Sequence, residues 1–106
     1  MPQPKIPKKF ELGGQTFRVE ITDDLIPEEG AYGMFRSHSN KIQLCEGINQ
    51  DKLAQTFFHE LTHAILHTMG SEHWEDEQFV DLFGTFLHQF MCTQWGRVEA
   101  VSEDEE

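Results

Sequence analysis

The chain has 106 residues, of which 8 are Lys or Arg and 19 are Asp or Glu, so its formal net charge is −11. This length suits one compact domain with a modest core, and the negative charge argues against direct binding to nucleic acid, whose phosphates it would repel. No apolar run approaches the roughly 18 residues of a membrane span, and the N-terminus lacks the apolar block of a signal peptide, so we expect a cytoplasmic protein with no membrane partner.

Both ends of the chain differ in composition from its middle. Residues 1–9 contain three prolines and three lysines, which predicts a flexible N-terminal arm. Residues 97–106 end in four consecutive acidic residues and are predicted to form an acidic tail. Residues 10–96 remain as a single domain, in which Cys45 and Cys92 lack metal-binding spacing and are expected to be reduced thiols.

Two β-hairpins are predicted in the first half of the domain. Residues 10–12 and 15–21 flank Gly13-Gly14, a pair that tolerates the positive φ of a tight turn. Residues 31–35 and 41–45 flank a polar Ser-His-Ser-Asn segment, which is typical of a second turn. We therefore expect a small, mostly antiparallel sheet at the start of an α+β fold.

An amphipathic helix is predicted from Asn49, a suitable N-cap, to about Met69, after which Gly70 ends it. On a helical wheel its apolar residues fall in one arc of about 140°. They are Leu53, Phe57, Phe58, Leu61, Ala64 and Ile65. Because His59 and His63 lie outside this arc, the helix can bury one side and present its histidines on another.

The residues His59, Glu60 and His63 form the motif H-E-x-x-H within this helix. Residues i and i+4 share one helical face and lie about 6 Å apart along the axis, so both imidazoles can reach one Zn²⁺. The glutamate between them can then take a proton from a water molecule on the metal. This pattern predicts a catalytic zinc site with Glu60 as the general base.

A second helix is predicted from about Glu72 or Trp74 to Trp95. Large apolar residues surround much of its circumference, which is typical of a central packing helix. They are Phe79, Val80, Leu82, Phe83, Phe86, Leu87, Phe90 and Met91. The same helix also carries a polar stripe, which consists of Glu77, Asp81, Gly84 and His88. Their spacing of i, i+4, i+7 and i+11 aligns them along one side of the helix.

A catalytic zinc site needs three protein ligands and an open position. The metzincin pattern would require glycine at position 66 and histidine at position 69, where this chain has Leu66 and Met69. His67 lies about 12 Å along the helix axis from His59 and is too far away to share its metal. We expect His67 to lie on the helix surface or at the edge of the core.

The polar stripe of the second helix offers the missing ligand. We predict that Glu77 completes the site, and that Asp81, one turn later, accepts the free N–H of a zinc-bound imidazole and so fixes its tautomer. Gly84 would let the two helices approach closely. Other residues that could replace Glu77 as the ligand are Glu72, His73, Glu75 and His88.

The sequence His59-Glu60-x-x-His63, followed by Leu66-His67 and Glu77-Gln-Phe-Val80-Asp81-Leu-Phe83-Gly84, resembles the ImmA/IrrE-like zinc metallopeptidases of the gluzincin clan. In that family a glutamate three residues before a small apolar residue, itself followed by Asn or Asp, is the third zinc ligand, and Glu77, Val80 and Asp81 match these positions. The similarity covers about residues 30–90, including a strand at 40–44 before the motif helix. Val80 and Gly84 stand where alanines are commoner. The absence of a helix-turn-helix segment predicts a catalytic domain that stands alone.

Together these features predict a zinc-dependent metallopeptidase that hydrolyses peptide bonds of a protein substrate. An extended substrate segment would align against an exposed strand edge, expected at residues 41–45. Tyr32 and His38 are the candidates for stabilising the tetrahedral oxyanion. The resemblance implies a substrate such as a transcriptional repressor, and a phage or mobile-element setting.

Two other functions are compatible with the sequence. A zinc-binding module of low catalytic power would act by protein contact, as an antagonist of a repressor, and its acidic surface would suit a basic, DNA-binding partner. Glu60 argues against this function, because a structural zinc site closes its fourth position and needs no base. In the second alternative the chain is an all-structural helical protein, and His59 and His63 are ordinary surface residues.

Overall fold

The computed structural model of the chain describes residues 5–25 and 32–100, and these residues adopt the predicted α+β fold. Within them, the strands are β1 (Lys5–Ile6), β2 (Lys9–Leu12), β3 (Gln15–Thr22), β4 (Gly33–Arg36), β5 (Lys41–Cys45) and β6 (Glu99–Ala100). The helices are α1 (Gln50–Thr68) and α2 (Glu77–Trp95), with a short 3₁₀ turn between them at Glu72–Glu75. Residues 1–4 of the predicted arm, Ala31 of the predicted second hairpin, and residues 101–106 of the predicted tail lie outside the described residues.

The main sheet has the strand order β2-β3-β5-β4 and is mixed. Both predicted hairpins are confirmed, since β2 pairs with β3 and β4 with β5 in antiparallel fashion. The prediction of a mostly antiparallel sheet is wrong at its centre, where β3 and β5 run parallel. A hairpin turn specifies only the pairing of the two strands that it connects. It does not determine which strand of the second hairpin pairs with the first hairpin.

The burial of β5 explains its central position. Four of its five residues are buried, including Ile42, Leu44 and Cys45, and a strand that is buried on both faces belongs inside a sheet. The one polar residue among them, Gln43, donates to Glu20 over 3.1 Å and accepts from Arg36 over 2.6 Å. The prediction that 41–45 presents a free edge is therefore wrong, and the free edge next to α1 belongs to β4.

The predicted N-terminal arm and acidic tail both contribute to the domain. Strand β1 pairs with β6 in parallel, and Ile6 and Val98 are only 3% and 2% exposed in the core. The predicted domain limits of 10 and 96 are therefore too narrow, and the folded domain includes at least residues 5–25 and 32–100. Composition is a poor guide here, because one buried apolar side chain per segment can outweigh a surrounding excess of polar and proline residues.

Helix α1 covers the core and follows its prediction closely. Asn49 is its N-cap and accepts the Lys52 amide over 2.8 Å, and Gly70 follows the helix with a φ of 75°. Its predicted apolar arc faces the core, with Leu61 and Ile65 at the half-buried margin. The core is built from Ile6, Phe17, Ile42, Leu44, Leu53, Ala54, Phe57, Phe58, Ala64 and Val98.

Helix α2 begins later and packs less deeply than predicted. Asp76 caps it by accepting the Phe79 amide over 3.1 Å, which separates it from the 3₁₀ turn that the prediction included in the helix. Only Val80 and Gly84 of α2 are buried, because the helix packs on the outer side of α1. The prediction of a central packing helix is therefore wrong. Within the described residues, no helix combines the length and hydropathy needed to cross a membrane.

Candidate metal centre

The site lies where α2 crosses α1 beside the H-E-x-x-H motif. Gly84 makes this crossing close, because a Cβ atom at that position would stand 3.1 Å from the His59 Cα and 3.2 Å from the Phe58 carbonyl oxygen. The crossing turns the polar stripe of α2 toward the histidines of α1. Glu77 and Asp81 consequently face His59, as the helical spacing predicts.

The structure brings together the side chains of His59, His63 and Glu77. The two oxygens of the Glu77 carboxylate lie 3.0 Å from His59 Nε2 and 3.0 Å from His63 Nε2. One ligand atom from each residue lies within 4.8 Å of the other two. Two imidazole nitrogens and one carboxylate oxygen form the donor set of a catalytic zinc site, so these residues fit the predicted ion.

The tautomer of His63 is set by a backbone group. Its Nδ1 lies 2.6 Å from the carbonyl oxygen of Trp74 in the 3₁₀ turn, and a carbonyl can only accept. The proton of the neutral ring is therefore on Nδ1, which leaves the lone pair of Nε2 directed toward Glu77. Sequence reasoning missed this contact, because the acceptor is a main-chain atom that any residue at position 74 would supply.

Asp81 lies near His59 on the predicted side but does not hydrogen-bond to it. Its Oδ1 is 3.6 Å from His59 Nδ1, which is an ion-pair distance and longer than a hydrogen bond. His59 is thus oriented mainly by its place on α1 and by Glu77. Of the two histidines, His59 is the one that lies near Asp81, while His63 is oriented by the main chain.

Glu60 lies beside the histidines and is largely buried, with 7% of its surface exposed. Burial raises the pKa of its carboxyl group; the nearby His59 and His63 oppose this rise, whereas the negative charge of Glu77 adds to it. Gly33 of β4 makes room for Glu60, because a Cβ atom at position 33 would overlap the Thr56 methyl group and stand 3.1 Å from Glu60 Cγ. The sequence carries no signal that Gly33 has this role.

The group formed by His59, His63 and Glu77, called the ligand group below, opens into a cleft of ≈ 680 Å³ between β4 and the helices. Tyr32 lies on the β4 side of the cleft, with Lys52 of α1 4.5 Å from its ring centre. His38, the other candidate for oxyanion stabilisation, is exposed in the β4–β5 turn and does not line the cleft. Of the two residues, only Tyr32 is placed to contact a molecule bound there.

The alternative ligands lie outside the group of three. Glu75 lines the cleft, whereas Glu72, His73 and His88 do not. His88 instead stacks on Phe58 with ring centres 5.6 Å apart. The ring of His67 is half-buried. It packs edge-on against the rings of Phe35 and Trp74, with ring centres 5.7 and 4.7 Å away. This agrees with the predicted position of His67 at the edge of the core.

Comparisons of the chain with known protein families, curated proteins and solved structures found no match. The chemistry of the site therefore follows from its own geometry. Two imidazoles and one carboxylate can bind a divalent metal ion, and the adjacent buried carboxylate of Glu60 can transfer a proton beside that ion. The cleft gives an extended molecule access to both.

Proposed function

We propose that the chain is a zinc-dependent metallopeptidase of the ImmA/IrrE-like, gluzincin type, which hydrolyses peptide bonds of a protein substrate. The observation that carries this proposal is the convergence of His59, His63 and Glu77 from two helices onto one point of an open cleft. Glu60 lies beside them in the same cleft. A surface histidine pair without function would require neither the shared carboxylate nor the buried acid between the two histidines.

Zinc would be held by His59 Nε2, His63 Nε2 and a carboxylate oxygen of Glu77. When bound by three protein ligands, Zn²⁺ lowers the pKa of a coordinated water toward neutrality and polarises a carbonyl group as a Lewis acid. The half-buried His59 and the exposed Glu77 keep one side of the group open to the cleft. This openness favours a catalytic over a purely structural role for the metal.

Glu60 is the general base in this proposal. Its carboxylate accepts a proton from the attacking water as the water oxygen bonds to the scissile carbonyl carbon. As the C–N bond breaks, Glu60 returns that proton to the leaving nitrogen, so that one water molecule is consumed for each peptide bond. Tyr32, which lines the same cleft, is the candidate for donating a hydrogen bond to the carbonyl oxygen as its negative charge develops.

The substrate segment would lie along the free edge of β4 rather than along β5. Residues Tyr32 to Phe35 line the cleft, and within residues 5–25 and 32–100 no strand pairs with the outer edge of β4. An extended peptide can add to such an edge through main-chain hydrogen bonds. A transcriptional repressor as the natural substrate, and a phage or mobile-element origin, remain implications of the sequence resemblance.

The substitution Glu60→Gln tests the proposed reaction. We expect the variant to bind one zinc ion per chain and to cleave a fluorogenic peptide panel at least about 100-fold more slowly than the wild type, because it loses the base but no ligand. Cleavage by the wild type should stop with a chelator and return with zinc. The assignment of Glu60 is wrong if the variant retains wild-type activity.

The same measurements separate the proposed enzyme from a binding module. A wild-type chain that holds stoichiometric zinc but cleaves no peptide would support a zinc-binding module that acts by contact, in which the acidic surface binds a basic partner. A wild-type chain that holds no metal under zinc-replete conditions would exclude both functions.

A further inference from the structure

The side of α2 that faces away from α1 is unusually apolar. Four phenylalanines form a continuous row on this side, which we call the α2 stripe: Phe79, Phe83, Phe86 and Phe90. Their side chains are 43%, 48%, 65% and 55% exposed, and Leu82 beside them is 50% exposed. The largest contiguous apolar patch on a protein surface is often a functional one.

The spacing of the α2 stripe matches that of a helix–helix seam. Successive members are four, three and four residues apart, which is the alternation of a two-helix heptad contact. At about 100° per residue the row spans an arc of about 60°, and Val80 and Gly84, which face α1, lie outside it. Helix α2 therefore has one face for α1 and a separate one for a second helix.

The exposed area is sufficient for a specific contact. An aromatic side chain buries about 150–250 Å² when fully covered, so the observed exposures leave about 500 Å² uncovered in the stripe and Leu82 together. Two such surfaces in contact would bury about 1,000 Å², the lower limit for a specific interface. Residues 1–4, 26–31 and 101–106 include few large apolar side chains, namely Met1, Ile26 and Val101.

The charge distribution favours a second copy of the chain as the occupant. The residues that flank the stripe on its solvent side are uncharged, and they include Gln78, Thr85, Gln89 and Thr93. Two copies can therefore meet here without like-charge contacts, although each has a net charge of −11. The acidic residues of this region gather at the N-terminal end of α2, in Glu72, Glu75, Asp76 and Glu77.

We propose that the α2 stripe is the interface of a homodimer in which the two α2 helices pack antiparallel about a two-fold axis. The axis would lie midway between residues 84 and 85 along the helix, so that Phe79 meets Phe90 of the second copy and Phe83 meets Phe86. The antiparallel arrangement keeps the two acidic N-terminal ends of α2 about 22 Å apart along the helix axis, at 1.5 Å per residue. It also aligns opposite ends of the two helix dipoles.

Sedimentation equilibrium of the full chain under reducing conditions tests this proposal, since the reductant prevents disulfide-linked pairs through Cys92. An interface of this size predicts a reversible dimer with a dissociation constant on the order of micromolar. Phe86→Glu should raise that constant at least about 100-fold, because the symmetric contact buries two unpaired charges. The matched control is Ile21→Glu, which replaces another exposed apolar residue (46%), on β3 and away from the stripe, and should leave the dimer unchanged.

Phe90→Gln provides a second disruption without a charge, and circular dichroism reports whether each variant is folded. The proposal is supported if the wild type and Ile21→Glu form the dimer while both folded stripe variants, Phe86→Glu and Phe90→Gln, remain monomeric. A wild-type chain that remains monomeric throughout the micromolar range overturns it. A dimer whose dissociation constant is the same in folded stripe variants as in the wild type overturns the assignment of the surface.

Discussion

The side chains of the site differ in the contacts that fix their orientation. His63 is fixed by a short hydrogen bond to the Trp74 carbonyl, whereas the group beside the second ring nitrogen of His59 is Asp81, at the longer distance of 3.6 Å. Glu77 is mostly exposed and contacts both rings. Glu77 is therefore the member of the group that can be changed with the least effect on folding, and its substitution gives the clearest test of metal binding.

Replacing Glu77 by alanine is expected to weaken zinc binding at least about 100-fold, because the proposed site would lose one of its three ligands and a negative charge. A competition titration with a zinc-sensitive dye would measure the change. Glu75→Ala is the matched control, since Glu75 is an exposed acid that lines the same cleft outside the ligand group. If both variants bind zinc as the wild type does, the third ligand is another residue.

His88 is a second residue whose chemistry follows from its environment. Its Nε2 is buried with no hydrogen-bond partner in the part of the chain that the structure describes, and its ring stacks on Phe58. Burial lowers the pKa of His88 below its ordinary value, and the negative charge of Asp51 opposes this effect only in part. The folded protein therefore keeps His88 neutral at a pH where the unfolded chain would already bind a proton.

This difference in pKa predicts a loss of stability in acid. At a pH above the ordinary histidine pKa of about 6.5, His88 is neutral in both the folded and the unfolded state. It then does not contribute to the pH dependence of the free energy of unfolding. As the pH falls below that value, the unfolded state gains a proton first and the free energy of unfolding decreases. His88→Leu should reduce this decrease, measured by urea unfolding in a chelator at several pH values. His38→Gln, at an exposed histidine, serves as the control, and an equal decrease in all three proteins would contradict the prediction.

At the scale of secondary-structure elements, the site depends on two close approaches. Gly84 lets α2 lie against the backbone of α1 at His59, and Gly33 lets β4 lie against Glu60. Neither glycine has a positive φ among the backbone angles of the chain, so both are needed for space. Glu77 of α2 faces the same cleft as His59, Glu60 and His63 of α1 because these elements are close.

The substitution Gly84→Leu should separate α1 from α2. We expect the free energy of unfolding to fall by about 3 kcal/mol, because the new side chain would meet backbone atoms that cannot turn aside. Urea unfolding in the presence of a chelator measures this cost, and zinc titration should show weaker binding as His59 and Glu77 move apart.

Gly84→Ala is the matched control for this change. Its Cβ requires shifts of only a few tenths of an ångström, and the higher helix propensity of alanine offsets the cost by up to about 1 kcal/mol. We expect a stability close to that of the wild type. A leucine variant as stable as the alanine variant would show that the helices are free to move apart.

At the scale of the whole molecule, the domain is closed by segments from opposite ends of the described chain. Strand β1 pairs with β6, and Ile6 and Val98 join a core that also contains Phe17 and Leu53. Arg97 adds a surface contact by donating to both Asp51 oxygens at 3.0 and 3.1 Å. The two ends are therefore part of the folded unit as far as they are described.

Ile6→Ala tests this closure. The loss of a buried isoleucine side chain should lower the free energy of unfolding by about 3 kcal/mol, as measured by urea unfolding. The same substitution at Ile21, an exposed position on β3, should cost about 0.5 kcal/mol. An equally small effect at both positions would show that the N-terminal segment behaves as the flexible arm that its composition predicts.

The features that the sequence predicted correctly are those that depend on neighbouring residues. The Gly13-Gly14 turn, the Asn49 cap and the helical spacing of His59 with His63 each involve a few consecutive positions, and all three are present in the structure. The same periodicity placed Glu77 and Asp81 on one side of α2. Local geometry determines such features, because the backbone of a turn or helix sets which side chains share a face.

Only the tertiary structure decided how these elements combine. The parallel pairing of β3 with β5, the joining of β1 to β6 and the outward position of α2 each depend on contacts between distant residues. The Trp74 carbonyl that orients His63 belongs to the same class. In each case several arrangements satisfy the local pattern equally well, so the burial of apolar surface and the pairing of polar groups between distant residues decide among them.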